Sequence, residues 1–104
     1  MMELYQALQE LRTAIQEHAE AAIARLRAKE ALEEALARAM VAGEVQGRNE
    51  EERKAKARTL LADYYKAVTE AEEALIWAKA RLDIAKYWVE GLSALAQGGK
   101  GEVL

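Results

Sequence analysis

Small and apolar residues recur every three and four positions along almost the whole chain. In the first half Ala7, Ala14, Ala21, Ala28, Ala35 and Ala42 repeat every seven residues, interleaved with Leu4, Leu11, His18, Arg25, Leu32 and Ala39. In the second half Leu61, Val68, Leu75, Leu82, Val89 and Ala96 interleave with Ala57, Tyr64, Ala71, Ala78, Ala85 and Leu92. Alternating steps of three and four are the mark of a coiled-coil seam. The pattern breaks once, over Gly43-Glu44-Val45-Gln46-Gly47-Arg48-Asn49. Gly47 suits the left-handed residue that closes a helix, with Gly43 as an earlier alternative. Asn49 is a good N-cap, Glu52 follows it at capping-box spacing, and Glu50, Glu51 and Glu52 complement the positive end of a helix dipole. The expectation is a single domain over 1–97, with helix 1 at about 2–46, a turn at 47–49 and helix 2 at about 50–97. Gly98-Gly99-Lys100-Gly101 should stop the second helix and leave 98–104 as a flexible tail.

Folding the chain at the turn brings the two seams together without adjustment. Ala14 then meets Leu82, Ala28 meets Val68, Ala21 meets Leu75, and Leu11 meets Ala85. Small faces large at nearly every level, so the side chains can interdigitate. The predicted fold class is all-α: an antiparallel two-helix hairpin, an Ala-rich coiled coil. His18 and Arg25 interrupt the seam, and Lys29 lies beside it. Long polar side chains there either snorkel outward or act as a registry device.

A hairpin buries one stripe per helix, and this chain has more apolar residues than that. Trp77, Ala80, Ile84, Trp88, Leu92 and Leu95 trace a second stripe on helix 2. Large contiguous apolar patches mark interaction sites. Trp77, Ile84, Trp88 and Leu95 are the expected interface residues. They imply a homo-oligomer, with a dimer that forms a four-helix bundle favoured, or else a partner protein on the same stripe.

Composition supports the helices and narrows the chemistry. The 104 residues contain no Pro, no Phe and no Cys. Pro would break a helix interior, and without Cys there is no disulfide, thiolate nucleophile or zinc finger. The beginning lacks a basic, then apolar, signal pattern, and no apolar run is long enough to span a bilayer. A cytoplasmic protein without membrane contact is expected. His18 is the one histidine, and neither seam carries Asp or Glu at its inner positions, which disfavours a metal centre of the helical-bundle kind. No catalytic residue, cofactor site or metal site is expected, and no enzyme. The net charge of −3 argues against nucleic acid as a general partner. Arg48, Arg53, Lys54 and Arg58 are the candidate phosphate contacts for an alternative role as an accessory factor in nucleic-acid transactions. Glu50, Glu51 and Glu52 lie among them, and Glu50–Lys54 and Glu52–Lys56 have the favourable i, i+4 order, as does Glu34–Arg38.

The turn Gly47-Arg48-Asn49-Glu50-Glu51-Glu52-Arg53-Lys54 resembles the G-x-N-x-x-x-R-K turn of small helical-hairpin proteins of phages and prophages. Those proteins also have an Ala/Glu-rich first helix and a Tyr in the second, as here at Tyr64 and Tyr65. The resemblance implies an accessory phage-type protein and carries over no catalytic residue. Small secreted hairpins with W-x-G at the turn are a poorer match, since the place reads Val45-Gln46-Gly47. The function expected from these features is that of a non-catalytic, self-associating interaction or scaffolding module.

Overall fold

The structure, a computed structural model, describes the backbone of residues 3–102 and the side chains of residues 3–97. The described chain is all-helical: α1 is Leu4–Val41, α2 is Glu50–Leu60 and α3 is Ala62–Glu102. The long helices α1 and α3 pack together. Contacts group the chain into two compact units, one joining the chain up to Ala21 with the chain from Leu75 onward, the other covering Ala22–Ala74.

In the first unit Leu11, Ala14, Leu82 and Ala85 sit together, which unites two of the anticipated small-to-large pairs, Ala14–Leu82 and Leu11–Ala85. Ala7 and Ala78 are each only 1% exposed. On the flank, Arg81 Nε donates to Glu17 Oε2 across 3.2 Å. In the second unit Ala35, Ala39 and Ala57 are buried. Arg25 and Lys29 of α1 both approach Glu72 of α3, at 3.9 and 4.0 Å. Arg25, Lys29 and Glu72 stay nearly half exposed, so they lie across the rim of the packed seam rather than inside it. Half-exposed pairs of this kind contribute up to about 1 kcal/mol each.

Every buried hydrophobic residue among those described falls on the seam, and all but Leu82 are alanine. Alanine loses no side-chain entropy in a helix and leaves room for the opposite backbone to come close. The large apolar side chains therefore lie mostly at the edges or outside.

Three boundaries differ from expectation. First, α1 ends at Val41, not near residue 46. Glu44 N donates to Ala39 O at 2.9 Å and Gly43 N to Met40 O at 3.1 Å, while Gly43 has φ +74°. This is a Schellman closure, whose left-handed residue must follow the last turn directly. Gly47, expected in that role, has a different duty. A Cβ there would lie 2.8 Å from Glu52 Cβ and 3.0 Å from Arg53 N, so glycine lets the incoming strand of backbone approach the first turn of α2.

Second, helix 2 is interrupted at Leu61, whose φ and ψ are −110° and 30°. Leu61 N still bonds Ala57 O, and Leu61 O accepts from both Tyr64 N and Tyr65 N. Just before the break, Thr59 Oγ1 donates to Ala55 O at 3.1 Å. Such back-bonding competes with the helical ladder and bends helices. Third, the expected stop at Gly98–Gly101 does not occur, because α3 continues to Glu102. Residues 103 and 104 of the expected tail lie outside the described residues.

Asn49 does cap α2. Its side chain accepts from Glu52 N at 2.9 Å. The Glu52 carboxylate reaches back to Arg48 N at 2.7 Å, one residue earlier than in the usual capping box.

Candidate interaction surface

Helical geometry separates the two apolar faces of α3. At about 100° per residue, the stripe through Trp77, Ile84, Trp88 and Leu95 lies roughly 110° around the helix from the buried seam of Ala78, Leu82 and Ala85. The stripe accordingly has no partner among the described residues. Trp77 is 67% exposed, Ile84 59%, Trp88 49% and Leu95 72%. Ile76 and Tyr87 are exposed beside it, and in the same unit α1 exposes Tyr5, Leu8 and Ile15.

An open recess lies in the stripe, lined by Asp83, Ile84, Tyr87, Trp88 and Gly91. Gly91 opens onto it, and a Cβ added there would meet nothing within 4 Å. A glycine inside a helix costs roughly 0.5–1 kcal/mol relative to alanine. Neither a turn nor a close approach among the described residues calls for one here. Tyr87 and Gly91 were not among the interface residues expected from the sequence, although Gly91 stands one further heptad beyond Trp77 and Ile84. That spacing was the available signal.

The polar border of the recess is Asp83, which accepts a 2.6 Å hydrogen bond from Lys79 Nζ. That bond holds the Asp83 carboxyl below its ordinary value; desolvation opposes it, and the charges of Lys79, Lys86 and His18 assist.

The basic residues at the turn are largely occupied by neighbours. Arg53 Nη1 donates to Gly47 O at 3.2 Å, Lys54 pairs with Glu50 at 3.4 Å, and the Arg58 guanidinium stands 5.2 Å from the centre of the Tyr65 ring. Arg48 donates its backbone N–H to Glu52, which holds the Glu52 carboxylate on the turn. The expected Glu52–Lys56 pair is absent among the described residues, whereas Glu34–Arg38 forms at 3.6 Å. Three of the four side-chain cations, those of Arg53, Lys54 and Arg58, thus have contacts within the chain, whereas Arg48 is held by its backbone.

Among the described residues, no group of three or more His, Cys, Asp or Glu side chains is placed to hold a metal ion. No described helix is long and apolar enough to cross a membrane. The chain matches no family model, and neither a curated protein nor a solved structure shows significant similarity to it.

Proposed function

We propose that this protein is a non-catalytic interaction or scaffolding module: an antiparallel, Ala-rich coiled-coil hairpin that self-associates through α3, two copies forming a four-helix bundle. The observation that carries this reading is the unpartnered stripe of Trp77, Ile84, Trp88 and Leu95. Its side chains are half to three-quarters exposed while the interior is almost entirely alanine. Association is the ordinary means of covering an exposed apolar stripe of this kind. The phage-type resemblance of the turn suits an accessory protein that works by holding others in place.

Replacing both Trp77 and Trp88 with Ser tests the assignment. Sedimentation equilibrium should fall from the mass of an oligomer to that of one chain, with helical circular dichroism retained. An unchanged mass would remove these residues from the interface. The nucleic-acid alternative has less support, because Arg53, Lys54 and Arg58 of its four cations are engaged within the chain.

A further inference from the structure

Along the exposed face of α3, large and small side chains follow a two-fold order centred on Ile84. Four residues to either side stand Ala80 and Trp88; seven residues to either side stand Trp77 and Gly91. Each indole thus has a small residue at its mirrored position. We propose, building on the self-association above, that two copies of α3 cross in antiparallel sense about a two-fold axis at Ile84. Trp77 of each copy then covers the partner's Gly91, and Trp88 covers the partner's Ala80.

Gly91 is the residue that selects this arrangement. It sits in a regular helix with empty space around it, and the recess beside it is walled by Ile84, Tyr87 and Trp88. Within one chain nothing fills that recess among the described residues, and nothing explains a glycine there. A second copy explains both, because the antiparallel crossing delivers an indole to the place where a side chain is missing. A parallel crossing about the same residue would set Trp on Trp and Gly on Gly. Close-packed interfaces tolerate neither the overlap nor the void.

The contact is isologous, so each pairing occurs twice and the assembly closes at two chains. The area is sufficient. Taking roughly 150–250 Å² for a large side chain, the exposed fractions of Trp77, Ile84, Tyr87, Trp88 and Leu95 leave about 500–800 Å² to bury per copy. Two copies together then bury about 1,000–1,600 Å², which reaches the size of specific interfaces.

The native chain has no cysteine, so single-cysteine variants report position cleanly. Antiparallel crossing puts the two Ile84 positions together and the two Gly91 positions roughly 20 Å apart along the axis, at about 1.5 Å per residue. A disulfide needs Cα atoms within about 7 Å. Under mild oxidation Ile84→Cys should therefore form a covalent dimer and Gly91→Cys should not. Cross-linking of Gly91→Cys to itself, or failure of Ile84→Cys in a protein of dimeric mass, would overturn the register while leaving self-association intact. A monomeric mass for the unaltered chain would instead overturn the underlying reading. A second pair of variants checks the volumes. Gly91→Trp should weaken the dimer roughly 10- to 100-fold by overpacking, and adding Trp77→Ala should restore most of it. The open surroundings of Gly91 let both variants fold. A dimer indifferent to Gly91→Trp would reject the proposed pairing.

Discussion

Leu82→Ala offers the sharpest test of the packed seam. Leu82 is 7% exposed and is the one large side chain among the buried residues described. Truncation removes three carbons, worth about 2.4 kcal/mol at roughly 0.8 kcal/mol each. A cavity penalty adds to this. The nearest buried neighbours are Ala14 and Ala85, whose single methyl groups cannot reach into the space. Leu11, packed against the same cluster, is long enough to shift partly into it. The expected loss is therefore about 3 kcal/mol, a large share of the roughly 5–15 kcal/mol that holds a domain folded. Urea unfolding followed by helical circular dichroism would measure it, at fixed protein concentration because the proposed self-association would add to apparent stability. Val41→Ala serves as control, since Val41 is 90% exposed and should change stability by no more than about 0.5 kcal/mol. A loss below about 1 kcal/mol for Leu82→Ala would refute the claim that this level of the seam is closed.

Other perturbations separate the remaining causes. Ala78→Leu should cost about 1–3 kcal/mol by overpacking, read from the same urea curves, because Ala78 is 1% exposed. Gly43→Ala should cost about 1–2 kcal/mol in thermal or urea unfolding, since φ is +74° there and a Cβ disfavours left-handed backbone. Asn49→Ala should cost about 1 kcal/mol and lower hydrogen-exchange protection in the first turn of α2. Asp83 should titrate below its ordinary value by NMR, and Lys79→Ala should move it upward, because the Lys79 hydrogen bond is the main cause of the shift. A carboxyl depressed on folding stabilises above its unfolded pKa, and the contribution disappears as pH falls through the lower, folded value. For this exposed pair the stability change should be slight.

The seam was legible because it follows from spacing alone: Ala7, Ala14, Ala35, Ala39, Ala57, Ala78, Leu82 and Ala85 all stand at heptad positions and all are buried. The start of α2 was legible too, since Asn49 carries its own acceptor. The end of α1 was less so. Gly43 and Gly47 both fit a helix stop by type, and only the hydrogen-bond register after Val41 shows which is left-handed. The break at Leu61 carries neither Pro nor Gly; it accompanies a competing hydroxyl at Thr59, which periodicity does not register. Glycines at 98, 99 and 101 lower helix preference without forbidding the helix that continues through them. On the surface, the indoles were evident as residues without a seam position. Gly91 was passed over because an absent side chain adds nothing to an apolar stripe until a second copy is considered.

The native mass of the unaltered chain at micromolar concentration tests the central claim most directly. If the α3 face is closed by a second copy, the particle should weigh twice the 11.6 kDa of one chain. A particle of one chain, with Trp77 and Trp88 open to solvent, would contradict it.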